Sequence, residues 1–275
     1  MTSSLDAALS GLLEHQHNLD LIANNLANVN TPGYKRAEVH FQDLLDTQEI
    51  LEALQGQLPD DEDGLTTSSG VATNEVARIF TQGPLLSSDS QLDFVIIGDG
   101  FFRVRQEDGS LAYTRDGNFR LDGNAQIVTT DGQPVDPPIT LPASFTSLRV
   151  STSGEVSIFR PYTDAELAAL APDEPRDGTR ETVGQIELSR FVNPQGLASI
   201  GSNLFVETAQ SLAPINALPG EGGMGQARNG WTEGSNVQMA NEMTQLVLAS
   251  RAYQLNLAAY RTIDEMLNNA NQLAA

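Results

Sequence analysis

Cysteine is absent from the 275 residues, which rules out disulfides, a thiolate nucleophile and cysteine-ligated zinc or iron–sulfur sites. Histidine is scarce, at three residues, and lysine occurs once, as Lys35 among fourteen arginines. Against 15 basic residues stand 36 acidic ones, a net charge of −21, so phosphate backbones and anionic headgroups are repelled and nucleic acid is not a partner. Aromatics make up 6% with one tryptophan, Trp231, too few for a sugar-stacking platform. Long apolar runs are missing too: stretches such as Phe94-Val95-Ile96-Ile97 are far too short to span a membrane. The first 34 residues carry no Lys or Arg, unlike the basic start of a secretory signal, so the expectation is a cytoplasmic protein or one exported without a cleaved signal.

What is present divides the chain into two helical ends around a turn-rich middle. Leu5, Leu12, Leu19 and Leu26 recur every seven residues, with Ala8, Ile22 and Val29 three places after three of them, the a/d stripe of a helix at about 4–30. His15 takes the missing position, and Asn24, Asn25 and Asn28 interrupt the polar face. Ser3 or Ser4 can cap the start, and Thr31-Pro32-Gly33 closes the helix. Such a helix is marginal alone and is expected to gain order on joining a neighbour. At the other end Met239, Met243, Leu246, Ala249, Tyr253, Leu257, Tyr260, Ile263 and Leu267 mark a second helix at about 236–272, with Ser235 and Gln238 spaced as a capping box.

Between the ends, Asp-Gly occurs at 99–100, 108–109, 116–117, 122–123 and 131–132, between short β-prone segments, and each pair signals a tight hairpin. Further strands are expected at about 147–159, 183–192 and 203–208. Residues 46–64, with seven acids and no base, read as a solvated loop, and 161–181 as an insertion with a short helix opened by Thr163-Asp164-Ala165-Glu166. The expected organisation is an α+β chain: a helix and closing turn at 1–34, a connector at 35–92, a mainly β body at 93–212, a Gly/Pro linker at 213–234 and a helix at 235–275.

Catalytic signatures do not accumulate. His15, His17 and His40 lie on or just after the first helix, far in sequence from the β segments, and there is no G-x-S-x-G, H-E-x-x-H or P-loop. The window from Asp116 fails the EF-hand pattern because Arg120 stands where a ligand is needed. Thirty-six acids always supply pairs, so carboxylate pairing selects no glycosidase site. No catalytic, cofactor or metal residue is assigned. The thin apolar stripes can be buried on each other or on copies of the same chain, and periodicity does not choose.

The run Leu21-Ile22-Ala23-Asn24-Asn25-Leu26-Ala27-Asn28-Val29-Asn30-Thr31-Pro32-Gly33-Tyr34-Lys35 resembles the N-terminal signature of the bacterial flagellar rod and hook protein family. Gly98-Asp99-Gly100-Phe101-Phe102, Tyr113 to Phe119, Glu233 to Val237 and Arg251-Ala252-Tyr253 agree with it, in order, across nearly the whole chain. Gly70-Val71, Thr81-Gln82-Gly83, Asn193 to Leu197 and Gly201 to Leu204 look most like its distal-rod members. The resemblance implies a non-enzymatic axial protein without cofactors, exported through the flagellar secretion channel. It also implies polymerisation with itself and with neighbouring rod and hook subunits inside ring and bushing proteins, placing the protein in the basal body. The two stripes, with Asn24, Asn25 and Asn28 as register-setting amides and Arg251 and Tyr253 in the second helix, would form the inner layer. The alternatives are a proximal-rod member of the same family or, outside it, an acidic calcium- or glycan-binding β module.

Overall fold

A computed structural model describes residues 2–43, 71–142, 145–162 and 178–274. The acidic segment 46–64 and the capping box at Thr163–Glu166 lie outside the described residues. The chain is α+β and separates into two units.

The first unit holds two long helices, α1 (Thr2–Ala27) and α2 (Met239–Ala274), and an antiparallel ribbon of β1 (Ala37–Asp43) and β2 (Val71–Arg78). Ala37, Val39 and Ala77 are buried, and both strands lie against α1. The helix read at about 4–30 ends at Ala27, because Thr31 N–H turns back to Asn28 O at 3.1 Å and Pro32 disfavours helix before it.

The second unit comprises residues 28–36 and 79–237. Its largest sheet has six strands in the order β13-β14-β6-β5-β12-β15, namely Ala198–Gly201, Leu204–Val206, Leu111–Thr114, Phe101–Arg105, Leu188–Arg190 and Ile215–Ala217. A three-stranded sheet runs β11 (Thr179–Gln185), β10 (Glu155–Arg160), β9 (Ser147–Val150). Three pairs complete it: β16 (Gln226–Asn229) with β4 (Phe94–Ile97), β17 (Trp231–Glu233) with β3 (Leu85–Ser87), and β7 (Phe119–Leu121) with β8 (Ile127–Thr129).

Side chains alternate along β5, so Phe102 enters one core with Phe94, Phe119, Ile158 and Leu188, while Phe101 enters another with Tyr113, Phe191 and Phe205. Burial on both faces is why two large apolar residues, Phe101 and Phe102, stand side by side at the start of this strand.

Three of the five Asp-Gly pairs turn the chain back on itself. Asp108-Gly109 joins β5 to β6 with Gly109 at φ +84°, Asp122-Gly123 joins β7 to β8, and Asp131-Gly132 brings Pro134 back to Val128. The other two are crossovers, not hairpins: β4 pairs with β16 rather than with β5, and Gly117 carries the chain past Phe94, whose N–H donates to Gly117 O at 2.9 Å. A Cβ at Gly117 would collide with Phe94 O, so glycine there answers a close backbone approach. Residues 213–234, read as a linker, hold β15, β16 and β17, each paired into a sheet: short strands bounded by Gly and Pro mimic linker composition.

Candidate assembly site

In the first unit, α1 and α2 run antiparallel. Asn25 Nδ2 donates to Glu242 Oε2 at 3.2 Å, and a Cβ at Gly11 would lie 3.4 Å from Asn256 Nδ2. Fourteen residues separate the contacts on each helix, so one register holds for about 21 Å of axis. Along it Leu12, Ile22 and Asn25 are buried and Leu19 and Leu26 half-buried on α1. On α2, Glu242 and Ala249 are buried, and Leu246, Tyr253, Leu257 and Tyr260 half-buried. The side chains of Leu5 and Leu267 lie outside the described residues.

Met239, Met243 and Arg251 are exposed, because the register gives the inward position of the first turn of α2 to Glu242. Leu9 and Leu13 on α1 and Val247, Leu248, Leu255 and Met266 on α2 are also exposed. Surrounding the buried line, the helix pair therefore carries a second set of apolar side chains facing solvent.

Asn25 does more than reach across helices. Its Oδ1 accepts from Ala37 N–H at 3.0 Å and its Nδ2 donates to Ala37 O at 2.8 Å, so the amide substitutes for a strand neighbour at the first residue of β1. Asn24 is exposed, whereas half-buried Asn28 accepts from Thr31 Oγ1 at 3.2 Å, inside its own turn. Val29 is half-buried.

The chain passes between the two units at 27–28, 36–37, 78–79 and 237–238. On the sheet side of these four joints, residues 28–36, 79–84 and 233–237 are laced together within the second unit. Gly33, at φ +69°, donates its N–H to Glu233 O at 2.7 Å, and Asn203 Nδ2 donates to Pro32 O at 3.1 Å. Lys35, with no exposed side-chain surface, donates to Glu233 Oε1 at 2.5 Å and to Thr81 O at 2.8 Å, and Gly83 N–H donates to the same Oε1 at 2.8 Å. Asn236 Oδ1 accepts from Arg36 N–H at 2.7 Å while its Nδ2 donates to Ile79 O at 2.7 Å. Burial draws the Lys35 ammonium below its ordinary value and the Glu233 carboxylate opposes that shift.

These bonds also correct the capping box. Ser235 Oγ accepts from Val237 N–H at 3.2 Å, Asn236 N–H donates to Tyr34 O, and this extended backbone delays the helix to Met239. Gln238, not Ser235, directly precedes the helix, its carbonyl accepting from Glu242 N–H at 3.0 Å.

Sequence reading missed three carriers of this arrangement. Glu242 is an acid within an apolar stripe, a pattern that signals a solvated residue more often than a buried one. Lys35 and Glu233 were visible only as parts of signatures, although a sole lysine next to Thr-Pro-Gly-Tyr was itself a cue. Among the described residues, no three carboxylate or imidazole groups gather as a metal-ligand set, and no helix is long and apolar enough to cross a membrane.

Three family models match in chain order: "Flagella basal body rod protein" over residues 5–35, "Flagellar hook protein FlgE/F/G D1 domain" over 95–158, and "Flagellar basal body rod FlgEFG protein C-terminal" over 228–273. The chain is 40% identical to flagellar basal-body rod protein FlgG of Borreliella burgdorferi, covering 99% of both chains. It is 39% identical to FlgG of Buchnera aphidicola from Acyrthosiphon pisum, over 99% of this chain and 100% of that one, and 40% identical to FlgG of Caulobacter vibrioides, over 98% of each. The matches begin at α1, cross the sheet unit and end in α2, and on that ground the chain belongs to the flagellar basal-body rod and hook protein family, as a structural subunit of the distal-rod type.

Proposed function

We propose that this distal-rod subunit polymerises with copies of itself into a helical shaft that transmits torque from motor to hook, and that α1 and α2 pair as the coiled-coil-like layer of that shaft. Residues 1–34 and 235–275 serve as axial segments and 93–212 as the β body. Leu5, Leu12, Leu19, Ile22, Leu26 and Val29, with Leu246, Tyr253, Leu257, Tyr260 and Leu267, supply the seam, and Asn25 with Glu242 sets its register as buried polar groups do in coiled coils. Met239, Met243 and Arg251, exposed on the second helix, contact neighbouring rod and hook subunits or the surrounding rings, and Asn24 and Asn28 help to set the end of the first helix. Thr31-Pro32-Gly33 ends the axial helix, while Ser235 and Gln238 set where its partner begins. The subunit works by assembly rather than catalysis and leaves the cell through the flagellar channel with its N-terminus uncleaved.

One observation carries this reading: the apolar side chains that the helix pair leaves exposed, with Leu255 at 71% and Leu13 and Leu248 at 60%. An apolar surface of this kind marks a contact with another polypeptide, and each large side chain buried there contributes on the order of 1.5–3 kcal/mol. The test is Leu255→Asp in the full-length chain, read by sedimentation, electron microscopy and motility. Loss of rods with an unchanged melting curve is the expected result, and normal rods would overturn the seam. Leu19→Asp on the buried side should abolish assembly while the sheet unit stays folded.

A further inference from the structure

The sheet unit contains a cavity of about 360 Å³ walled by Phe80, Phe101 and Phe191, with Arg115 and Arg190 among its lining residues. Arg115 has only 3% of its side chain exposed, and its guanidinium lies 5.2 Å over the Phe101 ring. Among the described residues, its Nε and Nη1 have no hydrogen-bond partner. The nearest carboxylate oxygen, Glu233 Oε2, stands 3.6 Å from Nη1, beyond hydrogen-bond reach, and Oε1 of that group is taken by Lys35 and Gly83.

Charge does not balance there. Lys35, Arg115 and Arg190 contribute three positive charges. Glu233 and the exposed Asp99 contribute two negative ones. One positive charge is in excess in a cavity with aromatic walls, and a buried guanidinium whose Nε and Nη1 lack hydrogen-bond acceptors is costly there. The chemistry that fits is a carboxylate, which a guanidinium fork binds in plane, carried on a short aliphatic stem that the phenylalanine rings can cover.

We infer that this pocket receives an aspartate or glutamate side chain from a second copy of this chain. A chain of net charge −21 offers acids in excess, and a rod subunit meets its copies at close quarters. Val192 also lines the pocket, with 68% of its surface exposed, the apolar residue such a contact would cover. The inference rests on assembly of like subunits and not on the helical seam.

The test places a photo-reactive benzoylphenylalanine at Val192 in the full-length chain and irradiates isolated basal bodies. The expected product is a dimer of this chain whose link maps to a peptide containing Asp or Glu. Arg190→Glu, which reverses one of the two basic side chains lining the pocket, should weaken that product by at least about tenfold, with the melting midpoint of the purified chain unchanged. Should Arg190→Glu disturb folding, Arg190→Gln, which keeps much of the stem, takes its place. A link to a different polypeptide, no link, or a dimer undiminished by the Arg190 variant overturns the inference. Rods that form with Arg190→Glu but not with Leu255→Asp would reject the pocket and leave the seam standing.

Discussion

Lys35 and Glu233, 198 residues apart, meet as a buried ion pair with Nζ 2.5 Å from Oε1. Removing one partner strands the other, so Glu233→Gln should destabilise the sheet unit by about 3–5 kcal/mol. Lys35→Met combined with Glu233→Gln should recover part of that loss. Urea unfolding of the three variants checks this, and an unchanged midpoint for Glu233→Gln would show that the pair fastens nothing.

Asp116 gives a pH dependence with a defined sign. Burial, reinforced by Asp93 and Asp131 nearby, pushes its carboxyl up to about 6 from an ordinary 3.8, against the pull of the Asn118 N–H bond. The native state therefore holds a proton that the unfolded state has released, and this group's contribution to stability declines as pH rises from about 4 through about 6. Asp116→Asn keeps an acceptor for Asn118 and should add about 1–3 kcal/mol at pH 7.5 while changing little at pH 4. Urea midpoints at both pH values decide it.

Asn25→Ala removes the amide that pairs with both backbone groups of Ala37 and that reaches Glu242. The expected cost to the first unit is about 1–3 kcal/mol. Hydrogen exchange at the Ala37 amide should quicken, since that N–H loses its acceptor. Protection equal to that of the parent chain would mean the bond does not form in solution.

Gly33→Ala meets two obstacles at once. Its φ of +69° disfavours a side chain, and the new Cβ would sit 2.6 Å from the backbone of Asp116. The first effect costs about 1–2 kcal/mol, and the second forces the turn away from Asp116. Thermal melting should fall accordingly, more than for Gly109→Ala, where φ is +84° but, among the described residues, nothing beyond the two chain neighbours lies within 4 Å.

Local chemistry made much of this legible. Heptad spacing placed both helices because burying Leu12, Ile22 and Ala249 on one line demands it, and three Asp-Gly pairs turned where their backbone preferences allow. Hidden were the features decided by partners distant in the chain. Asp99-Gly100 and Asp116-Gly117 have the composition of hairpins, but whether a turn closes a hairpin or crosses between sheets depends on which strand arrives opposite, here β16 for β4. Glu242 displaces Met243 from the inward line because Asn25 waits across the helices, a fact no spacing within α2 contains. Arg115 read as part of a motif, and only its burial beside Phe101 shows a guanidinium short of acceptors.

The burial of Lys35 has a practical side. It is the only lysine in the chain, so the folded subunit displays no ε-amine, and reagents that acylate or cross-link amines have only the N-terminal amino group to attack. Labelling at Lys35 then measures one event, the opening of the core around Glu233, in a free subunit or in a finished rod alike.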